Sequence, residues 1–116
     1  MDWVRKFFAT ADSLDAAAVA SLLKEDVELH FGNGDLIKGR AAVESTFAGF
    51  YESIAGMSHN VIELWETGSG AVAESAVTYT RIDDREVTVP VASVFEYSDG
   101  AISHLRISVD LAPLYA

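Results

Sequence analysis

The sequence predicts an α+β fold: a curved, mostly antiparallel sheet wrapped around a long helix. Three observations lead there. Apolar residues recur at helical spacing through the first half of the chain. The second half alternates at period two between short turns rich in Gly, Asp and Ser. The 116 residues, 50% hydrophobic and 22% charged, suit one globular domain, residues 1–116. Such a chain folds to roughly 6,200 Å² of surface from roughly 18,000 Å² when extended, enough for one sizeable core or for a core plus a pocket.

Trp3, Val4, Phe7, Phe8 and Ala11 form the stripe of a first helix, with Asp2 as its cap. Ser13 is placed to cap a short, Ala-rich second helix with Leu14, Ala17, Ala18, Ser21 and Leu22 on one face, ending near Lys24-Glu25-Asp26. Val27–Phe31 alternates as a strand, Gly32-Asn33-Gly34-Asp35 is turn chemistry, and Leu36–Gly39 is a brief second strand. A third helix opens at Arg40-Ala41. Its apolar positions are Val43, Phe47, Phe50 and Ile54, and Gly56 supplies a left-handed end. Ser58–Glu66, Ala71–Ile82, Glu86–Tyr97 and Ala101–Asp110 read as four hairpin-linked strands. The order is helix, helix, strand, strand, helix, then four strands. Val87, Val89 and Val91 beside Ala92 and Val94 leave both sheet faces apolar. The helices cover one; a second copy is the simplest cover for the other.

Several function classes are excluded. With no cysteine, there is no disulfide, thiolate metal site or cysteine nucleophile. Eight basic against 18 acidic residues, a net charge of −10, repel nucleic acid and anionic membranes. No apolar run approaches the length of a membrane span, and Met1–Lys6 does not open a signal peptide; a soluble, cytoplasmic protein is expected. Gly68-Ser69-Gly70 is a hairpin loop, and no nucleophile elbow or phosphate-binding glycine motif occurs. His30, His59 and His104 are spread without metal-ligand spacing. No metal or cofactor is implied.

Glu25-Asp26-Val27-Glu28-Leu29-His30-Phe31-Gly32-Asn33-Gly34, Lys38-Gly39-Arg40-Ala41-Ala42-Val43, Val77–Arg81, Val91–Phe95 and the ending Asp99–Leu114 resemble the SnoaL-like group of the nuclear-transport-factor-2-like superfamily. That superfamily is also called the cystatin-like cone and includes the ketosteroid isomerases. The resemblance spans essentially the whole chain. It implies an apolar pocket between sheet and helices and a homodimer through the outer sheet face. Function is less specific, since the fold hosts isomerases, cyclases, dehydratases, hydrolases and binding proteins.

The isomerases' catalytic carboxylate corresponds to His30 in one register and to Phe31 in the other. Facing the pocket, His30 would act as a proton shuttle. The isomerases' second acid corresponds to Ser93, or to Ala92 in the alternative register. The Asp–Arg–Asp set of the fold's epoxide hydrolases corresponds to Ser75, Val77 and Ile107, so that chemistry is not expected. Asp110 matches an acid common near the end of SnoaL-like chains and is a catalytic candidate beside a capping or interface role. Tyr79, on a strand face with Ser75, Val77 and Arg81, is the best polar donor for a pocket. The expected catalytic set is His30, Tyr79 and Asp110. The expected lining is Phe31, Phe50, Ser75, Val77, Arg81, Val91, Ser93, Phe95, Leu105 and Ile107. His59, at a strand start, reads as structural, and His104 joins Arg106, Ser108 and Asp110 in a polar row on the last strand.

Three functions fit. The first is proton transfer on a small apolar carbonyl compound: isomerisation, cyclisation or dehydration. The second is non-catalytic binding of a small hydrophobic molecule. The third is a dimeric interaction module whose cone is filled by Phe47, Phe50, Tyr51, Trp65 and Phe95.

Overall fold

The computed structural model describes all 116 residues as an α+β cone. The elements are α1 (Asp2–Asp12), α2 (Ala16–Ala20), β1 (Leu23–Phe31), β2 (Ile37–Lys38), α3 (Arg40–Glu52), β3 (Ile54–Glu66), β4 (Gly70–Arg81), β5 (Glu86–Ser98), β6 (Ala101–Val109) and α4 (Ala112–Tyr115). They build one six-stranded sheet in the order β2-β1-β6-β5-β4-β3. All neighbours are antiparallel except β1 and β6, which run parallel. No helix is long and apolar enough to cross a membrane.

The amphipathic patterns explain the elements. Val4, Phe7, Phe8 and Ala11 are the buried face of α1. Val43, Phe47 and Tyr51, four apart, are the buried face of α3. On β4 the odd-numbered residues Ala71 to Tyr79 face in, and on β5 Val89, Val91, Ser93 and Phe95 do. Phe95 is the centre of the core: its ring meets Trp3, Phe7 and Phe8 edge-on at 5.5, 5.3 and 5.8 Å between centroids. Trp3 also stacks on Tyr97 at 4.1 Å. The total surface, 6156 Å², matches the size scaling.

Four local expectations are corrected. Asp2 is the first residue of α1, whose N-cap, Met1, makes no side-chain bond. Asp15, not Ser13, caps α2: its carboxylate accepts from Ala18 N–H at 3.1 Å. α2 ends at Ala20, and β1 begins at Leu23 because Leu23 pairs with Ile102 of β6. Ser53, in a right-handed conformation, ends α3, and β3 starts at Ile54, so Gly56 lies within a strand opposite Thr80.

The outer sheet face is open along β3–β5. Ile62 and Trp65 are exposed there, so Trp65 does not fill the cone. Asp99 and Gly100, both at positive φ, close the β5–β6 hairpin, as a tight primed turn requires.

At Gly70 an added Cβ would overlap the Phe95 carbonyl, whereas at Gly68 it would meet nothing within 4 Å. Gly70→Ala should therefore lower stability by about 1–3 kcal/mol through backbone displacement, and Gly68→Ala should change it by about 0.5 kcal/mol or less. Urea unfolding of the two variants checks the contrast.

Candidate active site

The interior of the cone narrows to a cavity of about 30 Å³. Phe7 and Phe8 of α1 and Phe47, Phe50 and Tyr51 of α3 wall it on the helical side; Phe31, Met57, Val91 and Ile107 line the sheet side. Four polar side chains reach it: His59, Ser93, Tyr51 and Tyr79.

His59 is the chemical centre. It sits on the inner face of β3 opposite Val77, with Met57 opposite Tyr79, so His59 and Tyr79 are diagonal neighbours on one face. Its ring stacks on Phe8 at 4.5 Å. Its Nδ1 lies 2.6 Å from Asp12 Oδ1, and its backbone N–H donates to Asp12 Oδ2 at 2.9 Å. A carboxylate only accepts, so Nδ1 carries a proton, and whenever the ring holds only that one, Nε2 is its acceptor. Asp12 is the last residue of α1, where the helix dipole disfavours an anion; the two bonds from His59 offset that cost.

The tyrosines complement the dyad. Burial pushes the Tyr79 hydroxyl up to about 12, with the nearby Tyr115 and Asp12 adding to it. Burial raises Tyr51 further, with Asp12 and Tyr79 contributing. Both phenols therefore remain donors through neutral pH. Proton acceptor and phenolic donors around one apolar cavity form a constellation suited to moving a proton beside a developing oxyanion.

Of the residues expected here, Tyr79, Phe31, Phe50, Val91, Ser93 and Ile107 line the cavity. Seven do not. His30 is on the outer face: β1 pairs Leu29 with Leu105 and Phe31 with Ile107, which turns Phe31 inward and places His30 beside Arg106. There its ring lies over His104 at 5.8 Å. Asp110 accepts from Ala112 N–H at 3.0 Å, an Asx-type turn just ahead of α4, and is not at the cavity. Arg81 is turned to the rim, bonded to Asp83 at 3.2 Å and the Ala116 carbonyl at 2.7 Å. Val77, Phe95 and Leu105 are spent in the core. Ser75 is fully buried, its Oγ without a partner. Asp12 is absent from the sequence expectations, His59 is there only as a structural residue, and Tyr51 only as a side chain filling the cone; the four-residue spacing of Tyr51 from Val43 and Phe47 is the signal that turns it inward. No group of three or more His, Asp or Glu side chains is arranged to hold a metal ion.

The cone defines the class, a nuclear-transport-factor-2-like protein with a ketosteroid-isomerase-like fold. Residues 4–105 match the SnoaL-like domain family, and the chain belongs to that family. No curated protein matches the sequence. Among solved structures, a hypothetical protein from Catenulispora acidiphila with a ketosteroid isomerase-like fold, in complex with trimethylamine, superposes with a TM-score of 0.86 at 15% identity, covering 97% of this chain and 88% of that one. A protein described as a SnoaL-like polyketide cyclase from Jannaschia sp. CCS1 gives 0.83 at 15% identity, over 98% and 87% of the two chains. An epoxide hydrolase from M. tuberculosis gives 0.81 at 18% identity, over 98% and 84%. At these identities the likeness is one of fold.

The raised tyrosine sets a pH window. Between pH 10 and about 12 the unfolded chain releases a proton that folded Tyr79 retains, so stability falls as pH rises through that window and is unaffected below it. Urea midpoints between pH 8 and pH 11 should show this decline, and Tyr79→Phe should flatten part of it.

Proposed function

We propose that the protein transfers a proton on a small, apolar carbonyl compound, by isomerisation, cyclisation or dehydration, with His59 as the acid–base. The observation that carries this reading is the His59–Asp12 pair at the cavity wall. Asp12 positions the ring and fixes its tautomer. His59 Nε2 takes the proton next to the carbonyl, and the Tyr51 and Tyr79 phenols stabilise the enolate oxygen. In isomerisation that proton returns to another carbon of the product; in dehydration it leaves with the expelled hydroxyl as water, and in cyclisation it goes to the alkoxide formed as the ring closes. His30 has no part in this scheme, and membership of the SnoaL-like family supports the reaction class.

The cavity volume favours a second reading. About 30 Å³ is an order of magnitude below the roughly 300 Å³ at which small-molecule sites begin, so a filled cone in a dimeric interaction module competes with catalysis. Binding a substrate, or a non-reacting hydrophobic ligand, requires movement of the half-buried Phe31, Phe50 and Met57, since the rest of the aromatic wall is core.

Exchange of α-protons in D₂O, followed by NMR over a panel of cyclic enones and β-keto esters, tests the choice. The wild type should accelerate exchange of at least one compound. His59→Gln should lower that rate by about 10²–10⁴-fold and Asp12→Asn by a smaller factor. A panel without any accelerated exchange would leave the filled cone as the better reading.

We also propose a homodimer through the outer sheet face. Ile62, Ala76, Pro90 and Ala92, small or apolar, line an open groove there of about 610 Å³, with Glu74 and Thr88 beside them. Small side chains permit close approach of a second sheet, and the charge of −10 argues against nucleic acid or an anionic membrane as the partner. Sedimentation at micromolar concentration should give a dimer, and Ala92→Arg should give a folded monomer.

A further inference from the structure

We infer that His30 and His104 make the outer sheet face responsive to pH, so that a second copy of the chain binds there more tightly in mild acid. The inference rests on the homodimer proposed above and adds what regulates it.

The two rings are the first observation. His30 of β1 and His104 of β6 stand side by side on the outer face, with centroids 5.8 Å apart and planes inclined by 23°. Both side chains are half-buried. One nitrogen of each, Nδ1 of His30 and Nε2 of His104, is buried without a partner. Neither ring has a carboxylate bond of the kind that ties His59 to Asp12. Protonating either one therefore adds a charge that no ion pair within the chain cancels. Histidine alone among unperturbed side chains changes charge between about pH 5 and pH 8. His59 lies in the cone wall, so His30 and His104 are the side chains of the outer face that respond over this range.

The neighbouring charges give the direction. Strand pairing places Glu28 opposite both Lys38 and His104, Arg106 opposite His30, and Glu96 opposite His104 from β5. Farther along the same face, Glu74 lies opposite Ala92 and Glu63, and Glu86 opposite Thr80. Asp35 lies in the exposed turn after β1. Acids outnumber Lys38 and Arg106, so two copies meeting through this face repel while the histidines are neutral. Arg106 repels a charged His30, whereas Glu28 and Glu96 flank His104 with the opposite sign. Charging both rings brings the face closer to neutrality and weakens the repulsion between copies. His104, Arg106 and Ser108 alternate along β6, and Ser108 lines the groove assigned to the second copy. At about 3.3 Å per residue, His104 stands roughly 13 Å from Ser108. That is the rim of the groove, where charge sets approach and salt dependence rather than contact.

Sedimentation equilibrium of the full chain at about pH 8 and about pH 5.5, each in about 20 and about 300 mM salt, tests this. The wild-type dimer Kd should fall by about tenfold on acidification at the lower salt, and by less at the higher. The double variant His30→Gln, His104→Gln should keep its pH 8 affinity at both pH values. A second variant, Glu74→Gln with Glu96→Gln, changes only exposed positions and tests the face charge without touching the histidines. At pH 8 it should dimerise about as tightly as the acidified wild type. A dimer whose affinity ignores pH, weakens in acid, or tightens equally in the histidine variant overturns the switch and leaves the homodimer standing. So does a glutamine variant no tighter than the wild type at pH 8. A chain that stays monomeric under every condition overturns both.

Discussion

The packing of α1 across the sheet is the constraint on which the rest depends. Phe7 and Phe8 pinch Phe95 from the helical side, and Trp3 covers both Phe95 and Tyr97. Each buried aromatic contributes about 1.5–3 kcal/mol by area, and each edge-to-face pair adds about 0.5–1.5 kcal/mol. This cluster fixes how the helix lies on the sheet, and the helix stops at its C-cap, Ser13, just before Leu14 at positive φ. Its last residue, Asp12, is thereby carried to β3 and meets both the ring and the backbone of His59. The same Phe8 that anchors the helix stacks on that ring. Core and dyad are thus one piece of packing, and the dyad's orientation is as firm as the cluster behind it.

The fold was legible because its signals are local. Period-two alternation and hairpin turns mark β3–β6, and the i, i+3, i+4 stripes mark α1 and α3. Boundaries failed where a distant partner decides. Lys24-Glu25-Asp26 looks like the polar end of a helix, yet Leu23 just before it is buried against Ile102 of β6 and starts the strand. Gly56 looks like a helix terminator, yet pairing with Thr80 makes it a strand residue.

The site was less legible for the same reason, sharpened by parity. Adjacent strand residues point to opposite faces, so the choice between His30 and Phe31 turns on the register of β1 against β6, strands from opposite ends of the chain. Tyr79 was accessible because its strand alternates cleanly. His59 looked structural at the start of a strand; only the approach of α1 supplies its carboxylate. Asp12 carries no local mark at all, being one polar residue at the end of an amphipathic helix.

The small cavity and a catalytic role are compatible on energetic grounds. Holding an apolar space open costs about 24 cal/mol per Å³. Opening roughly 270 Å³ beyond the present volume would thus cost about 6 kcal/mol, against a whole-domain stability of about 5–15 kcal/mol. A chain of 116 residues has little reason to keep such a void when unliganded. Admitting a ligand would instead displace Phe31, Phe50 and Met57, the half-buried members of the wall, and the binding energy would have to offset that rearrangement.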